Sequence, residues 1–395
     1  MSDSISRLAI SNYRSLLNVV IPLQRLNVVT GPNGSGKSNL YRALRLLAET
    51  ARGGVVKALA NEGGLASTYW AGPEKLSKGM MDGTQPVQGG PPKKRKRMRL
   101  GFSGESFGYS ISLGLPAMAS DPPRSAFFRD PEIKREAIWT GARFSAAATL
   151  VDRKGGTAQA RCVHGWQKLN ENLQPFDSML SEVADPTYAP ETMMLRESIR
   201  RWRLYDQLRT DREAPVRRPQ VGTRTLALNH DGADLAAAVQ TIFEMGDAEG
   251  LQESIATAFP GSRLGIDCRA DGLFDVAFEQ RGLLRPLNSS ELSDGTLRFL
   301  MLAAALHTPR PPSLMVMNEP ETSLHPDLLP ALARLFVRAS ESSQVWVVTH
   351  SESLVSEIEQ LSDFHPIYLE KVCGQTVLQG QNLLDIPTWR WPDNV

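Results

Sequence analysis

The chain has 395 residues, of which 41% are hydrophobic and 22% charged, and a net charge of +1. This is the make-up of an ordinary globular protein that folds alone around one large core or two moderate ones. It gives no global electrostatic reason for nucleic-acid, membrane or acidic partners, so any such binding has to come from local patches.

Three cysteines, Cys162, Cys268 and Cys373, lie far apart with no CxxC or Cys/His metal spacing. They read as buried small hydrophobes of a reducing cytosol rather than as a secreted scaffold. The N-terminus lacks a basic region followed by an apolar core, and no segment approaches the roughly 18 apolar residues of a membrane span. A soluble cytoplasmic protein without membrane contact is expected.

Along the chain, RLAISNYRSLLNVVIPL alternates like a half-buried strand pair, and RLNVVTG is a compact apolar strand ending at Gly31. A helix should follow from Ser38, with Leu40, Leu44, Leu46 and Leu47 as its apolar face. The segment KKRKRMRLGFSGESFGYSISLGL reads as two strands around the turn SGES, which begins an antiparallel β subdomain. Residues 121–220 are rich in proline and arginine with scattered short helices, and read as an inserted, mainly helical and irregular subdomain. Beyond them, DGADLAAAVQTIFEMGD and LQESIATAFPG look helical, and RLGIDCRADGLFDVAFEQ looks like a strand hairpin. From Ser290 onward helix and strand alternate to QVWVVTHS. The expected division is an N-terminal lobe over 1–120, the insertion over 121–220 and a C-terminal lobe over 221–395, the two ends making one α/β core. There is no fixed-period repeat and no long heptad run.

The stretch from Gly31 through Pro32, Asn33, Gly34, Ser35, Gly36 and Lys37 to Ser38 fits G-x-x-x-x-G-K-S without a mismatch, after an apolar strand and before a helix. In such a loop the glycines let backbone N–H groups curl around phosphate oxygens at a helix N-terminus. Lys37 reaches the β and γ phosphates and Ser38 offers its hydroxyl to Mg²⁺. A chance glycine turn is the competing account. Asn39 and Arg14 complete the expected ATP-binding set.

The apolar run SLMVM followed by NEP resembles a Walker B strand, whose last residue holds magnesium and whose following glutamate activates water. Glu319 is therefore the candidate general base, against the alternative of a helix-start glutamate before Pro320. Asn318 stands where a carboxylate is usual. An amide keeps the acceptor oxygen and shape of the aspartate while losing its charge, so Asn318 is expected to hold Mg²⁺ weakly through water. His350, ending QVWVVTHS, is placed to donate to a γ-phosphate, or is a structural residue at a strand end. Ser293, Asp294 and Gly295 precede an apolar helix, where Ser293 and the Gly295 N–H either bind an anion or form an ordinary helix cap.

Taken together, the P-loop, a long insertion, LSDGT, VMNEPETSLHP and VVTHS resemble, in order, the Walker A, signature, Walker B with D-loop, and switch-histidine motifs of ABC-type ATPases. The likeness is to the SMC, RecF and OLD subgroup, specifically to small ATPases built as a bare head. It is dense over 1–50 and 222–360 and thin over 80–220. It implies the P-loop NTPase fold of an ABC-ATPase head, ATP and Mg²⁺ as ligands, slow hydrolysis by Lys37, Glu319 and His350, and a homodimer that sandwiches the nucleotide. Ser293, Asp294 and Gly295 then act in trans, with the D-loop residues Thr322, Ser323 and His325 along the shared seam. DNA association in repair or phage defence is implied, with control of a separate effector protein as the alternative.

Three departures stand out. No glutamine fits a Q-loop, since Gln85 and Gln88 fall in a glycine- and proline-rich stretch. Asp294 occupies a position where many relatives have glycine, which puts an extra carboxylate near a polyphosphate. The stretch after residue 360 leaves no room for the Toprim nuclease domain of OLD proteins.

Two basic clusters remain. KKRKRMR, from Lys93 to Arg99, reads first as a solvated hairpin rim and second as a nucleic-acid contact. The other interleaves Trp202 and Tyr205 with Arg200, Arg201, Arg203, Arg209, Arg217 and Arg218, a mixture suited to phosphate contact and base stacking. Asp206, Asp211 and Glu213 make intramolecular ion pairs the competing account.

Overall fold

The computed structural model describes residues 4–73, 77–88, 96–116, 125–206, 208–380 and 387–394. Numbered along the chain, the strands are β1 Ile5–Tyr13, β2 Leu16–Pro22, β3 Leu26–Thr30, β4 Met98–Gly104, β5 Phe107–Gly114, β6 Glu132–Thr140, β7 Thr149–Lys154, β8 Thr157–Cys162, β9 Gly165–Asn170, β10 Arg203–Tyr205, β11 Gln220–Val221, β12 Arg263–Cys268, β13 Leu273–Glu279, β14 Leu314–Asn318, β15 Gln344–Val348, β16 Ile367–Val372 and β17 Gln375–Leu378. The helices are α1 Lys37–Thr50, α2 Val55–Asn61, α3 Leu65–Thr68, α4 Lys78–Met81, α5 Met179–Glu182, α6 Pro190–Arg200, α7 Leu235–Met245, α8 Ala248–Ala258, α9 Asp294–Leu306, α10 Leu329–Ser340 and α11 Glu352–Glu359. The chain forms two compact units, neither continuous in sequence: Met1–Gln24 with Gly31–Trp202 and Ile367–Val395, and Arg25–Thr30 with Arg203–Pro366.

In the first unit, the alternation of β1 and β2 buries Leu8 and Ile10 of one strand opposite Ile21 and Val19 of the other, in antiparallel register. The pair belongs to an eight-stranded sheet ordered β2-β1-β4-β5-β6-β7-β8-β9. β4 and β5 pair around the turn at Glu105 and Ser106, as the SGES signal requires. Over 132–170 the structure differs from the expected helical and irregular insertion, because β6 to β9 extend this sheet strand by strand. For β6 and β7 the reason lies in inward-facing charge. Glu136 and Arg153 are both fully buried and paired at 2.8 Å, and Asp152 is buried beside Arg135 at 2.9 Å. Charged residues turned into a core read in a sequence as surface, which hides the two-residue period. Residues 171–202 keep to the expectation, with the short helices α5 and α6.

Around Glu136 every neighbour is a donor. Tyr109 Oη lies at 2.7 Å, Ser178 Oγ at 2.5 Å and the Met179 N–H at 2.8 Å, so the buried carboxylate is fully solvated by protein. The same unit holds the β16–β17 antiparallel hairpin and the P-loop helix α1, whose buried face includes the predicted Leu40, Leu44, Leu46 and Leu47.

The second unit is built on parallel strands ordered β10-β14-β15-β3. β14, β15 and β3 are almost wholly buried, so they read as apolar runs rather than alternating strands. Helix α9 is buried from Leu297 to Leu306, the pattern of a helix with core on all sides. It shares one apolar cluster with α7, α8, α10 and α11, including Phe299, Leu332, Phe336 and Ile358. A small antiparallel sheet, β11-β13-β12, completes the unit with the hairpin expected from RLGIDCRADGLFDVAFEQ.

The cysteines are free, but none is buried: Cys268 is exposed and Cys162 and Cys373 are intermediate, which corrects the reading of all three as core residues. Among the described residues no helix is long and apolar enough to cross a membrane.

Candidate functional site

The loop Gly31–Ser38 carries the conformations its glycines were expected to permit. Gly31, Gly34 and Gly36 have φ of 143°, 79° and 110°, values that L side chains rarely adopt. Space excludes side chains at two of them as well: a Cβ on Gly31 would lie 2.1 Å from the Leu369 carbonyl oxygen, and one on Gly36 would lie 2.0 Å from Thr376 Oγ1. Lys37 is buried and donates through Nζ to the carbonyls of Gly31 at 2.5 Å and Pro32 at 3.2 Å, so its ammonium lies back across the loop. Ser38 is exposed at the start of α1, and no side chain caps that helix, whose N-cap is Gly36. Pro32, Asn33 and Gly34 form the exposed crest.

A hydroxyl relay fixes this loop within its unit. Asn39 Nδ2 donates to Ser15 Oγ at 2.8 Å, Ser15 Oγ lies 2.7 Å from Thr376 Oγ1, and Thr376 Oγ1 lies 2.6 Å from the Ser35 carbonyl oxygen. Asn39 is thereby engaged in positioning. Arg14, expected to bind nucleotide, instead forks onto Glu62 at 2.7 and 3.0 Å, a carboxylate that also accepts from Tyr13 Oη at 2.7 Å. Burial and the neighbouring Glu62 push the Tyr13 phenol up, which keeps it the donor in that pair.

In the second unit, four strands end side by side. Register pairs Val29 with Val348, Val348 with Asn318, and Met317 with Tyr205, so the carboxyl ends of β3, β15, β14 and β10 form one row. The residues leaving that row are Thr349 and His350 after β15, Glu319 after β14 and Asp206 after β10, while Thr30 of β3 is one peptide bond from Gly31. In open α/β sheets ligands bind outside the carboxyl ends of the strands.

Glu319 has a φ of 47°, unusual for a non-glycine residue. Three hydrogen bonds hold it there: its N–H donates to the Val348 carbonyl at 2.7 Å, and its own carbonyl accepts from Arg298 Nη2 at 3.0 Å and the Thr322 N–H at 3.2 Å. A strained backbone fixed by its surroundings is a feature of functional positions. His350 Nδ1 lies 3.8 Å from Glu319 Oε1 and 3.3 Å from Glu321 Oε1. Glu321 is buried and also accepts from Thr349 Oγ1 at 2.6 Å and the His350 N–H at 3.2 Å. The arrangement provides one half-exposed carboxylate, Glu319, beside an imidazole that a second, buried carboxylate orients.

Asn318 differs from the expectation most. Its amide does not present itself to solvent but donates from Nδ2 to Asp206 Oδ1 at 2.7 Å, and its Oδ1 is buried without a hydrogen-bond partner. Unpaired buried oxygens are costly, and a hard oxygen acceptor suits Mg²⁺, so the pair fits the ion that the P-loop implies. Among the described residues no group of three or more His, Cys, Asp or Glu is placed to hold a metal alone.

Ser293 is the N-cap of α9, its Oγ accepting from the Thr296 N–H at 3.1 Å. Asp294 is not a lone carboxylate: Arg217 Nη2 reaches its Oδ1 at 2.6 Å and Nη1 the Leu292 carbonyl at 2.7 Å. Gly295 approaches the loop after β14 so closely that a Cβ would lie 2.8 Å from the Ser323 carbonyl oxygen, and Ser323 itself has a φ of 66°. The structure thus brings Gly295 and Ser323 together. Thr322, Ser323 and His325 are exposed.

Of the basic clusters, Lys93, Lys94 and Arg95 lie outside the described residues. In the second, Trp202 and Tyr205 are only 2% exposed and do not offer faces for base stacking; Trp202 packs on Phe102 and Tyr205 Oη donates to the Leu228 carbonyl. Arg200 binds the Ala51 carbonyl, and Arg201, Arg209, Arg217 and Arg218 pair with Glu197, Asp211, Asp294 and Glu213. The competing account of intramolecular pairing describes this cluster.

Sequence reasoning missed Arg298, Ser15 and Thr376, and named Asp206 only as an ion-pair partner for the neighbouring arginines. Arg298 rises from α9 to the carbonyls of Glu319, Pro320 and Leu208, and burial lowers its pKa against the pull of Glu321, Glu319 and Asp206. Its signal in the sequence was one arginine within an otherwise apolar helix. Asp206 follows a three-residue strand too short to show a period, and the two hydroxyl residues carry no local signal.

A parallel sheet whose first strand runs into a G-x-x-x-x-G-K-S loop and helix defines the chain as an α/β P-loop NTPase. It belongs to the family described as "AAA domain, putative AbiEii toxin, Type IV TA system", whose model matches residues 26–356. No curated protein matches the chain. Among solved structures, it is similar to the Smc head domain with a coiled coil and joint from Pyrococcus yayanosii, at 14% identity over 97% of this chain and 98% of that one, with a TM-score of 0.48. It is also similar to the Smc head domain from Pyrococcus furiosus bound to the C-terminal domain of ScpA, at 12% identity, 95% of both chains and 0.47. The SMC head domain from Thermotoga maritima gives 13% identity, 96% and 100% coverage and 0.42.

Proposed function

We propose that the chain binds and slowly hydrolyses ATP, and that ATP drives two copies together as a switch. The observation that carries this reading is the row of strand ends: β3 leads directly into the phosphate-binding loop, and its neighbours β15 and β14 release His350 and Glu319 from the same edge. Backbone N–H groups of 33–38 and the Lys37 ammonium hold the phosphates. Glu319 accepts a proton from the water whose oxygen attacks the γ-phosphorus, and ADP departs with the electron pair of the broken bond. His350, oriented by Glu321, donates to the γ-phosphate. Ser38 and Asn318 would hold Mg²⁺, which supplies charge neutralisation.

Exposure of Thr322, Ser323 and His325, and the close approach of Gly295 to Ser323, support a shared seam through which Ser293 and Gly295 serve a second copy. DNA association, in repair or phage defence, is one role for such a switch; control of a separate effector protein is the other. The pairing of the second arginine cluster within the chain favours the effector reading.

Two variants test the core of this proposal. Lys37→Ala should lose most ATP affinity by calorimetry. Glu319→Gln should bind ATP, turn over at least about a hundredfold more slowly, and elute as a dimer with ATP and Mg²⁺. A Glu319→Gln protein that stays monomeric with saturating ATP, or hydrolyses at the parental rate, overturns the switch or the role of Glu319. A strong inverse dependence of DNA affinity on salt would restore the DNA reading.

A further inference from the structure

We propose that Asp206, just past β10, is the positioning carboxylate for Asn318 at the end of the adjacent β14, so that an amide–carboxylate pair, rather than one acidic residue, anchors the cation. The assignment rests on the ATPase reading above. β10 and β14 run parallel with Tyr205 opposite Met317, and the next residues are Asp206, just past β10, and Asn318, the last of β14. Their side chains meet at 2.7 Å, with Asn318 Nδ2 as the donor. An amide facing a carboxylate has only one stable orientation, because only its NH₂ group can donate. Asp206 therefore fixes the Asn318 carbonyl oxygen on the opposite side, where it is buried and has no hydrogen-bond partner.

The pair keeps the inventory of an acidic anchor, one negative charge and hard oxygen acceptors, but moves the charge one strand away. It also accounts for the residue type at 318. A second carboxylate at this separation from Asp206 would repel it and would have no N–H to offer it, whereas the amide donates. Arg298 feels the Asp206 carboxylate but forms no hydrogen bond with it, directing its N–H groups to the main-chain carbonyls of Glu319, Pro320 and Leu208. Asp206 is half-buried and shares the strand-end row with Glu319 and His350. Partners that orient a metal-binding group are worth about 10- to 100-fold in metal affinity.

The test is the affinity of the full chain for a non-hydrolysable ATP analogue by calorimetry, with Mg²⁺ and with EDTA, and the ratio of the two. Asp206→Asn keeps an acceptor for Asn318 Nδ2, so the fold should persist; melting without nucleotide checks this. The ratio should fall at least about tenfold in Asp206→Asn and return to within about threefold of the parent in the exchange variant Asp206→Asn with Asn318→Asp. Mn²⁺ titration followed by electron paramagnetic resonance, with the same analogue bound, should show the same order. A parental ratio in Asp206→Asn, or an exchange variant no better than the single one, overturns the assignment while leaving ATP binding intact. A parent that binds no analogue at all overturns the ATPase reading, and this assignment with it.

Discussion

His350 Nδ1 lies 3.3 Å from Oε1 of Glu321, and that same oxygen accepts the His350 N–H and the Thr349 hydroxyl. One buried carboxylate therefore fixes both the main chain and the ring of the histidine that follows β15. Glu321 sits two residues beyond Glu319, so a single turn after β14 delivers the candidate base and the residue that positions its neighbour. On the proposed mechanism, Glu321→Ala should lower turnover by about 10- to 100-fold while leaving ATP affinity near the parental value, since Glu321 acts through His350. Calorimetry beside steady-state kinetics separates the two effects. A parental turnover number would remove Glu321 from the mechanism.

Gly36 is held at a φ of 110° with Thr376 Oγ1 where its Cβ would be. Gly36→Ala should therefore distort the loop and abolish nucleotide binding, whereas Thr376→Val, which removes only the hydroxyl between Ser15 and the Ser35 carbonyl, should weaken it by about tenfold, the equivalent of one lost hydrogen bond. Fluorescent-nucleotide titration of both variants measures the order.

The Arg153–Glu136 pair at 2.8 Å is fully buried. Arg153→Met should destabilise by about 3–5 kcal/mol, because Glu136 is left as an uncompensated buried charge. The double change with Glu136→Gln should recover much of that loss, a comparison that urea denaturation makes directly. Equal stability of the parent and Arg153→Met would mean that Tyr109, Ser178 and the Met179 N–H satisfy the carboxylate unaided.

His307 at the C-terminal cap of α9 shares one hydrogen bond with Ser254 Oγ at 2.9 Å, and burial, aided by Arg338, pushes its pKa from 6.5 down to about 4. The unfolded chain therefore takes up this proton first as the pH falls. Stability is fully present above pH 6.5 and is lost between there and pH 4, by up to about 3 kcal/mol from this group. Melting curves of the parent and His307→Gln from pH 7 to pH 4 should converge in slope if another group dominates, and diverge if His307 does.

Local pattern made much of the fold legible. The β1–β2 alternation, the apolar β3 ahead of Gly31, the amphipathic α1 and the β12–β13 hairpin all depend on residues near one another in the chain, and the structure has each of them. The loop 31–38 was readable for the same reason: its glycines, lysine and serine are consecutive, and their backbone conformations follow from residue type. Strands β6 and β7 were not readable, because Glu136, Asp152 and Arg153 face inward there, Glu136 paired with Arg153 and Asp152 with Arg135, and β9 has no buried face to show a period.

Tertiary structure alone decided the electrostatics of the candidate site. Asn318 meets Asp206 across 112 positions, Arg217 meets Asp294 across 77, and Arg298 reaches Glu319 across 21. In the sequence Asn318 is a neutral residue where charge was expected, and Asp294 is a charge where none was expected. Strand pairing puts a carboxylate beside the first, and the packing of residues 215–217 against the start of α9 puts a guanidinium beside the second. Residue type and spacing determine which groups a chain carries and how its backbone turns locally; which charges stand together is set by the order in which distant strands pair, because Coulomb and hydrogen-bond energies depend on separation in space and are blind to separation along the chain.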